Sequence, residues 1–514
     1  MRVGVASVRW MRWIFLVLLL GSVMPVAYGQ LADNYAPRGT YDRTATDLIT
    51  RINNQARRQY TVLEGSGKPP AIIKDAKAEM SKGTRMLVSL VEHHMVILDD
   101  TLHRWVDDIV NTIVAANALK RKPQTVLVMK STTCNAYSVG EGTIVVTTAL
   151  LANMRTDSEL AFTLAHEMAH EELEHASQRL FYKVEQRRQQ KSNKVIRQAA
   201  LGEVTTEAMD TLRSLAYAAQ RYSREHEMQA DSLGLILMHR AGYDTWASFG
   251  ALSAIDSGDY TKERLGRRLF KPFEFATYPF QEYWLSPPLT MYTRRPQDTY
   301  FFSVDSLQSH PDMLLRQKTL LEYLPSNAPQ DEYPSPEVKH TIALAAFASL
   351  EAGYDFKRMD QALLRALELK HRYPRNVFVT SSIARILIKL YRWKDYSEQL
   401  FRAHVPLYVA FYGEELKSVN TFLNNLTLQE LGELGFQFLN NKENFNPACR
   451  DHYILLWHIC DQTCRYPVAA KVKENYEKRF GRDLRYAEMK SGAAKIAALE
   501  PSLFLPSGKP RPQH

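Results

Sequence analysis

The spacing of apolar residues predicts that much of this chain is helical. Leu160, Leu164 and Met168 recur every four residues, which is the spacing of one apolar face of an α-helix that packs against a core. A second long helix is expected from about residue 216 onwards, and Gly242 is a suitable residue to follow its last turn. The pattern therefore indicates two long helices in the first half of the chain.

Two short runs of β-branched residues interrupt the helical pattern. Residues 125–130 and 143–147 are mostly apolar, and residues 135–142 between them have the composition of a turn. We expect a small sheet over the helix at residues 160–168, so the predicted fold class is mainly α with a small β-sheet (α+β). The exposed edge of this sheet could pair with an extended polypeptide, but a hairpin that only packs against the core explains the pattern equally well.

The carboxy-terminal third is predicted to contain helices without strands. The composition changes at residues 325–329, which marks a linker, and amphipathic segments follow. We expect these helices at about residues 336–352, 358–373, 377–391 and 395–404. Turns are expected at Gly353, Tyr373-Pro374 and Trp393. The alternation of helices and turns is similar to degenerate tetratricopeptide-type hairpins, which form concave binding surfaces. The alternative is that these helices only pack on the preceding domain.

The amino terminus has the features of a secretory leader. Three arginines precede an apolar run at residues 13–20, and an Ala-x-Gly sequence precedes Gln30. We therefore expect residues 1–29 to be a cleaved signal peptide and the mature protein to be exported. An uncleaved single-span anchor is the alternative interpretation.

Charge and composition narrow the choice of partners. Loss of the three arginines in residues 1–29 lowers the formal net charge from +9 to +6. This mild excess comes without a basic stripe interleaved with aromatic residues, which argues against a nucleic-acid partner. The positive net charge is compatible with weak peripheral contact with an anionic membrane surface.

The four cysteines lie in the mature chain, where export would permit disulfides. Cys460 and Cys464 are four residues apart and close enough to bridge if they share a helix. Cys449 is a competing partner, and Cys134 lies far away in sequence. The connectivity is left open.

The first predicted helix carries the motif H-E-x-x-H at His166, Glu167 and His170. Thr156 and Glu159 have the spacing of a capping box, so the helix can begin there. The histidines are four residues apart on one face, about 5–6 Å between their β-carbons, and can both reach one tetrahedral zinc ion. Glu167 lies one position further round the helix, where it can take a proton from metal-bound water.

A catalytic zinc ion needs a third protein ligand and one open position. Glu227 and Asp231 share one face of the second predicted helix. We expect Glu227 to be the third ligand and Asp231 to accept a hydrogen bond from the far nitrogen of a ligand histidine. His226 is the competing ligand, but it lies on a different face from Asp231. Without a metal, Glu227 would be explained by a surface ion pair with Arg224.

These motifs occur in an order that resembles the gluzincin metallopeptidase family, which includes HtpX-type proteases, CAAX prenyl proteases and BepA-type periplasmic proteases. The matching sequences are N-A-Y (135–137), G-T-I-V-V-T-T-A-L-L (142–151), E-L-A-F-T-L-A-H-E-M-A-H (159–170), His175, S-R-E-H-E-M-Q-A-D-S-L-G (223–234), A-G-Y-D (241–244) and H-P-D-M-L-L-R (310–316). They cover about residues 80–325. The resemblance implies that His166, His170 and Glu227 bind one zinc ion per chain and that Glu167 is the general base.

The chain departs from the family pattern in two places, an insert and the carboxy-terminal third described above. An insert at residues 260–302 is dense in aromatic residues and prolines. It is either a lid that contacts the substrate or, in the interpretation we prefer, a satellite core under a long loop. His310 could donate to the oxyanion, occupy the fourth metal position, or be a loop histidine before the turn-forming Pro311.

The predicted organisation follows from these patterns. The segments are a signal peptide (1–29), an N-terminal helical or linker segment (30–80), a zincin-like metallopeptidase domain (81–325), a helical tetratricopeptide-like domain (330–505) and a disordered tail (506–514). The resemblance, together with the leader, implies an exported zinc-dependent endopeptidase that cleaves misfolded or unassembled envelope proteins in a Gram-negative periplasm. Association with the outer membrane, and with an envelope partner through the helical repeats, is also expected. The alternative is a chaperone-like binding module whose helical repeats carry the function.

Overall fold

The computed structural model describes residue 35 and the ranges 43–98, 100–139, 142–192, 224–256, 265–287, 313–324, 333–407 and 413–490. The predicted leader at residues 1–29, the linker at 325–329, the tail at 506–514 and His310 lie outside the described residues.

Helices dominate the described residues, and a small sheet lies among them, which confirms the predicted α+β fold class. The helices of the first part are α1 (Arg43–Glu64), α2 (Pro70–Glu92), α3 (Asp100–Ala116), α4 (Thr148–Asn153), α5 (Asp157–Glu172), α6 (His175–Ser192), α7 (224–240), α8 (Ala247–Asp256) and α9 (Met313–Leu321). Two 3₁₀ helices, Gly266–Phe273 and Glu282–Leu285, lie in the insert. Across the described ranges, no helix combines the length and the apolar character needed to cross a bilayer.

The helical region that follows contains α10 (Pro336–Asp355), α11 (Met359–Arg372), α12 (Val377–Tyr396), α13 (Glu398–His404), α14 (Glu414–Asn425), α15 (Leu428–Asn440), α16 (Arg450–Gln462), α17 (Tyr466–Phe480) and a 3₁₀ helix (Tyr486–Glu488). The four predicted helices correspond to α10–α13, but two predicted turns are wrong. Gly353 lies inside α10, where an added Cβ would lie 3.0 Å from the backbone nitrogen of Ala362, so this glycine permits the close approach of α11. Trp393 lies inside α12, which continues to Tyr396.

The sheet formed by the described residues has the strands β1 (Val96–Ile97), β2 (Thr125–Met129), β3 (Ala136–Ser138) and β4 (Thr143–Thr147), in the order β1-β2-β4-β3. Strands β2 and β4 are parallel neighbours, and β3 pairs antiparallel with β4 at one edge. The alternative of a hairpin made from the two predicted runs is therefore wrong. Part of the segment assigned to a turn is the edge strand β3, because its backbone finds its partner in β4.

Helix α5 is buried on all sides, between α3, α8 and the edge strand β3. Thr156 caps it by accepting a hydrogen bond from the Glu159 amide. The Glu159 carboxylate accepts from the amide of Arg155 at 2.6 Å and not from that of Thr156, so only half of the predicted capping box forms. The predicted apolar stripe of α5 is fully buried, and so are the polar motif residues that follow it.

The described part of the insert, residues 265–287, packs against the helical region. Phe270, Phe273 and Trp284 are fully buried. Their ring centroids lie 4.9, 5.4 and 6.1 Å from that of Phe422 on α14. These aromatic residues belong to the same apolar cluster as the core around α5, so the described part of the insert is integral to the main core and the preferred interpretation of a separate satellite core is wrong.

Buried polar contacts join the helical region to the sheet. Lys130, directly after β2, forms an ion pair of 3.1 Å with Glu351 of α10, and their side chains are only 8% and 1% exposed. Tyr35 also donates a hydrogen bond to Glu351, whose pKa is raised by burial against the opposing effect of Lys130. Ser349 donates to the carbonyl of Ser131 at 3.1 Å. Because one apolar cluster surrounds these contacts, the helical region packs on the first part of the chain.

The cysteines are free thiols in the structure. Cys460 is buried within α16, and Cys464 is exposed just after that helix. No bridge therefore joins this pair, although their spacing along the chain would have permitted one.

Replacing Lys130 by methionine should strongly destabilise the fold. The substitution keeps the aliphatic stem but leaves the Glu351 carboxylate buried without its cation, which should lower the free energy of unfolding by about 3–5 kcal/mol. Lys82→Met is the matched control, because Lys82 is 63% exposed and its pair with Glu79 should contribute about 1 kcal/mol or less. Urea denaturation of both variants measures the difference in the free energy of unfolding. Equal losses would show that the buried pair contributes no more to stability than the exposed pair.

Candidate metal centre

Two helices bring three potential metal ligands together. The Nε2 atoms of His166 and His170 on α5 lie 3.0 Å apart. Glu227 of α7 places Oε2 3.5 Å from the first of these nitrogens and Oε1 3.4 Å from the second. Within the described ranges this is the one group of three or more His, Cys, Asp or Glu residues whose ligand atoms could hold a metal ion.

The geometry and chemistry of this group fit zinc. A tetrahedral ion with bonds of about 2.0–2.1 Å requires ligand atoms about 3.3–3.4 Å apart, which is close to the three distances found. Two imidazoles and one carboxylate are also a common ligand set for catalytic zinc. The competing candidate, His226, lies elsewhere, since its ring stacks on that of His175 with centroids 3.9 Å apart. The three ligand assignments stay predictions, and the distances support them.

A glycine allows α7 to reach α5. A Cβ on Gly234 would lie 2.9 Å from the backbone nitrogen of His166 and 3.0 Å from its Cα, distances that real side chains do not tolerate. Any other residue would push the two helices apart. Because Glu227 lies seven residues before Gly234, about two helical turns, this contact sets the position of its carboxylate relative to the imidazoles.

Asp231 lies behind the first histidine, and its role as a hydrogen-bond acceptor stays a prediction. Its Oδ1 is 2.9 Å from Nδ1 of His166, which leaves Nε2 directed at the metal position. Burial opposes the charged form of His166, but the carboxylates of Asp231 and Glu227 outweigh it and raise the pKa of this imidazole to about 10. Burial likewise opposes ionisation of Asp231, whose pKa is nevertheless lowered by Arg316 and His166.

Arg316 is part of this site and was not assigned a role from the sequence. Its Nε and Nη2 bind both oxygens of Asp231 at 2.7 and 2.6 Å, and Nη1 lies 3.3 Å from Glu227 Oε2. It is only 3% exposed, and it faces two carboxylates, so the pocket retains an excess of negative charge suited to a cation. The segment H-P…R contained the signal, but spacing alone could not show which acids the arginine contacts.

A hydrogen-bond chain fixes the tautomer of the second histidine. His175 Nε2 lies 3.0 Å from the amide oxygen of Gln229, so that nitrogen carries the proton. Nδ1 of His175 is then an acceptor, and it lies 2.9 Å from Nδ1 of His170, which must donate. His170 consequently presents a lone pair at Nε2. Burial and the neighbouring His226 and His170 lower the pKa of His175 to about 3, which keeps it neutral.

The edge strand holds the predicted base. The amide of Ser138 in β3 donates a hydrogen bond of 2.7 Å to Oε2 of Glu167, and the Ser138 hydroxyl donates to Glu171 one turn further along α5. Both carboxylates are buried. The edge strand β3 therefore holds the carboxylate of Glu167, the neighbour in sequence of the ligand candidate His166. His310, the remaining candidate, lies outside the described residues.

Comparisons with known proteins agree with this geometry. Residues 100–324 match the family described as peptidase family M48. The chain is 22% identical over 329 residues to a "Putative beta-barrel assembly-enhancing protease" of Vibrio cholerae, covering 60% of this chain and 63% of the relative. It is 28% identical over 145 residues to "Mitochondrial metalloendopeptidase OMA1" of Arabidopsis thaliana, covering 26% of this chain and 27% of the relative.

The chain thus spans less than two thirds of the length of these two relatives. The matched region contains the H-E-x-x-H helix, the edge strand, Glu227 and Arg316. These findings confirm the resemblance to the metallopeptidase family that the motifs predicted.

Gly234→Ala should separate α5 from α7 and weaken metal binding. The added methyl group meets the backbone of His166, so we expect a loss of about 1–3 kcal/mol in stability together with a higher zinc dissociation constant. Gly83→Ala is the control, because Gly83 lies in helix α2 with open space around its Cα and should be neutral or slightly stabilising. Thermal unfolding and competition with a chromophoric chelator measure both effects; an unchanged zinc affinity would contradict the role of the close approach.

His175→Ala should weaken zinc binding while leaving the ligands in place. Without the acceptor at His175 Nδ1, His170 is free to exchange tautomers, and we expect the zinc dissociation constant to rise about 10–100-fold. His239→Ala on the exposed face of α7 is the control. If the two variants bind zinc equally tightly, the hydrogen-bond chain does not orient the ligand.

Proposed function

We propose that this chain, in which residues 100–324 are a peptidase family M48 domain, is a zinc-dependent endopeptidase. The observation that carries the proposal is the convergence of His166, His170 and Glu227 on one point, with Glu167 held beside them. A buried constellation of this kind needs ligands, a base and access for an extended substrate. The described residues supply candidates for the ligands and the base, and the substrate path is proposed below.

Each residue has a defined task in this proposal. His166, His170 and Glu227 hold the ion, and Asp231 and His175 keep the two imidazoles in the tautomers that present Nε2. A bound zinc ion would polarise the scissile carbonyl and acidify its bound water. Glu167 accepts the water proton on its carboxylate and passes it to the leaving amine, while the Ser138 amide keeps that carboxylate oriented.

The substrate is proposed to bind along β3. Hydrogen bonds between Val139 and Thr143 and between Thr147 and Asn135 use one side of the strand. By alternation, the main-chain groups of Ala136 and the carbonyl of Ser138 face the opposite side, toward α5, where the Ser138 amide already binds Glu167. An extended polypeptide added there would pass next to Glu167.

A cleft beside the edge strand favours apolar side chains in the substrate. It has a volume of about 440 Å³ and adjoins Ser138 and Val139. Its walls include Met80, Leu87 and Leu180, from α2 and α6, beside the charged side chains of Glu79, Lys82, Arg179 and Lys183. Unfolded or unassembled proteins expose apolar side chains in extended segments, so the cleft supports the choice of such proteins as substrates.

The cellular setting is part of the proposal. The leader-like sequence at residues 1–29 supports export, and the similarity to a putative β-barrel assembly-enhancing protease supports work on envelope proteins in the periplasm, near the outer membrane. The rival function is a chaperone-like module in which the helical region binds partners and the metal is structural.

Glu167→Gln separates the two functions. The amide cannot accept the water proton, so kcat/KM for casein cleavage should fall by about 10²–10⁴-fold while zinc remains bound. Glu185→Gln is the control, since Glu185 of α6 touches none of the ligands and pairs at the surface with Lys68, which lies between α1 and α2. Cleavage by the Glu167 variant at the wild-type rate would overturn the proposed mechanism and favour the rival function.

A further inference from the structure

A second cavity lies in the helical region, away from the metal centre. It has a volume of about 910 Å³ and forms where the 3₁₀ helix Gly266–Phe273 of the insert meets the end of α11 and the loop between α15 and α16. This size is at the upper end of the range for ligand pockets and exceeds what a small inorganic anion needs. None of the proposed catalytic residues lines it.

The lining of this cavity is strongly basic. Its Lys and Arg residues are Arg268, Lys271, Lys370, Arg375 and Lys442. The acids in the lining are Glu274 and Glu443, and Glu274 already pairs with Arg267 at 2.8 Å. In the part of the chain that the structure describes, none of the five cations makes an ion pair, so the lining carries five cations against two carboxylates.

Lys370 is a separate sign of a missing anion. It is 6% exposed, and its ammonium group donates to the Pro374 carbonyl at 2.6 Å and to the Thr380 hydroxyl at 2.8 Å, both neutral acceptors. Burial lowers its pKa to about 8, so the group remains largely protonated at neutral pH. The Glu443 carboxylate acts on this ammonium only through space, and a directly bound carboxylate would offset more of the cost of burying it.

Helix dipoles do not explain this concentration of charge. Helices α11 and α15 end at the cavity and would favour cations there, but α12 and α16 begin at the same place and would favour anions. The two effects oppose each other. The cations also come from separate segments of the chain, so that the positive potential arises from the way these segments are packed together.

The surroundings favour a peptide over a lipid surface. A basic site that docks on a membrane is expected to have exposed apolar side chains beside it. Within the described ranges, none of the large apolar side chains that are exposed lines this cavity. Arrays of helical hairpins, in contrast, commonly bind extended peptide segments in their concavities.

We propose that this cavity binds a polypeptide segment bearing clustered carboxylates, which would recruit a substrate or partner independently of cleavage. The proposal does not rest on the peptidase activity. Carboxylates would pair with Lys271, Arg375 and Lys442 at the rim and with Lys370 at the base.

The test measures binding in the full-length Glu167→Gln chain, so that no cleavage occurs. A fluorescein-labelled peptide of alternating Gly and Glu is titrated and followed by anisotropy, next to the same peptide with Gln for Glu. We expect the Glu peptide to bind in a salt-dependent manner and the Gln peptide to bind at least tenfold more weakly.

Paired variants locate the binding. Lys271→Gln with Lys442→Gln should weaken binding of the Glu peptide by about tenfold or more, since both side chains are exposed at the rim and can be changed without unfolding. Lys339→Gln with Lys417→Gln removes the same charge from the helical region outside the cavity and should leave binding unchanged. Equal effects of the two pairs of substitutions on peptide binding would overturn the proposal. It would also be overturned if the protein bound anionic phospholipid vesicles in a way that Lys271→Gln with Lys442→Gln abolished, but did not bind the peptide.

Discussion

The close contact between α5 and α7 is the constraint on which the metal site depends. Because Gly234 has no side chain, the backbone of α7 lies against His166, and the carboxylate of Glu227 reaches both imidazoles. Metal ligands must be held within about half an ångström of their required positions, and two packed helices provide this better than a loop does. The burial of α5 on all sides adds to that rigidity.

The two histidines are oriented by chemically different partners. A carboxylate, Asp231, lies behind His166 and is itself held by Arg316, whereas a neutral imidazole, His175, lies behind His170. Both arrangements leave Nε2 available at the same point. The charge around the site is therefore concentrated on the α7 side, where Arg316 limits the repulsion between Asp231 and Glu227.

The helical region is built into the same packed body as the metal site. Lys130 follows β2, and its partner Glu351 lies on α10, so the sheet that carries the edge strand is fixed to the helical region through a buried ion pair. The aromatic residues of the insert make a second attachment at Phe422. The basic cavity is formed jointly by the insert and the helices, which gives the insert a place in ligand binding in addition to packing.

The sequence by itself determined the parts of this site that depend on local spacing. The period of α5, its cap at Thr156 and the presentation of His166 and His170 on one face follow from 3.6 residues per turn, as does the shared face of Glu227 and Asp231. Only the tertiary structure decided that β2 and β4 run parallel, that Arg316 binds Asp231, and that Gly353 serves helix packing and not a turn. The physical reason is that strand pairing, buried charge pairs and close helix contacts join residues far apart in the chain, whose relative positions no local pattern encodes.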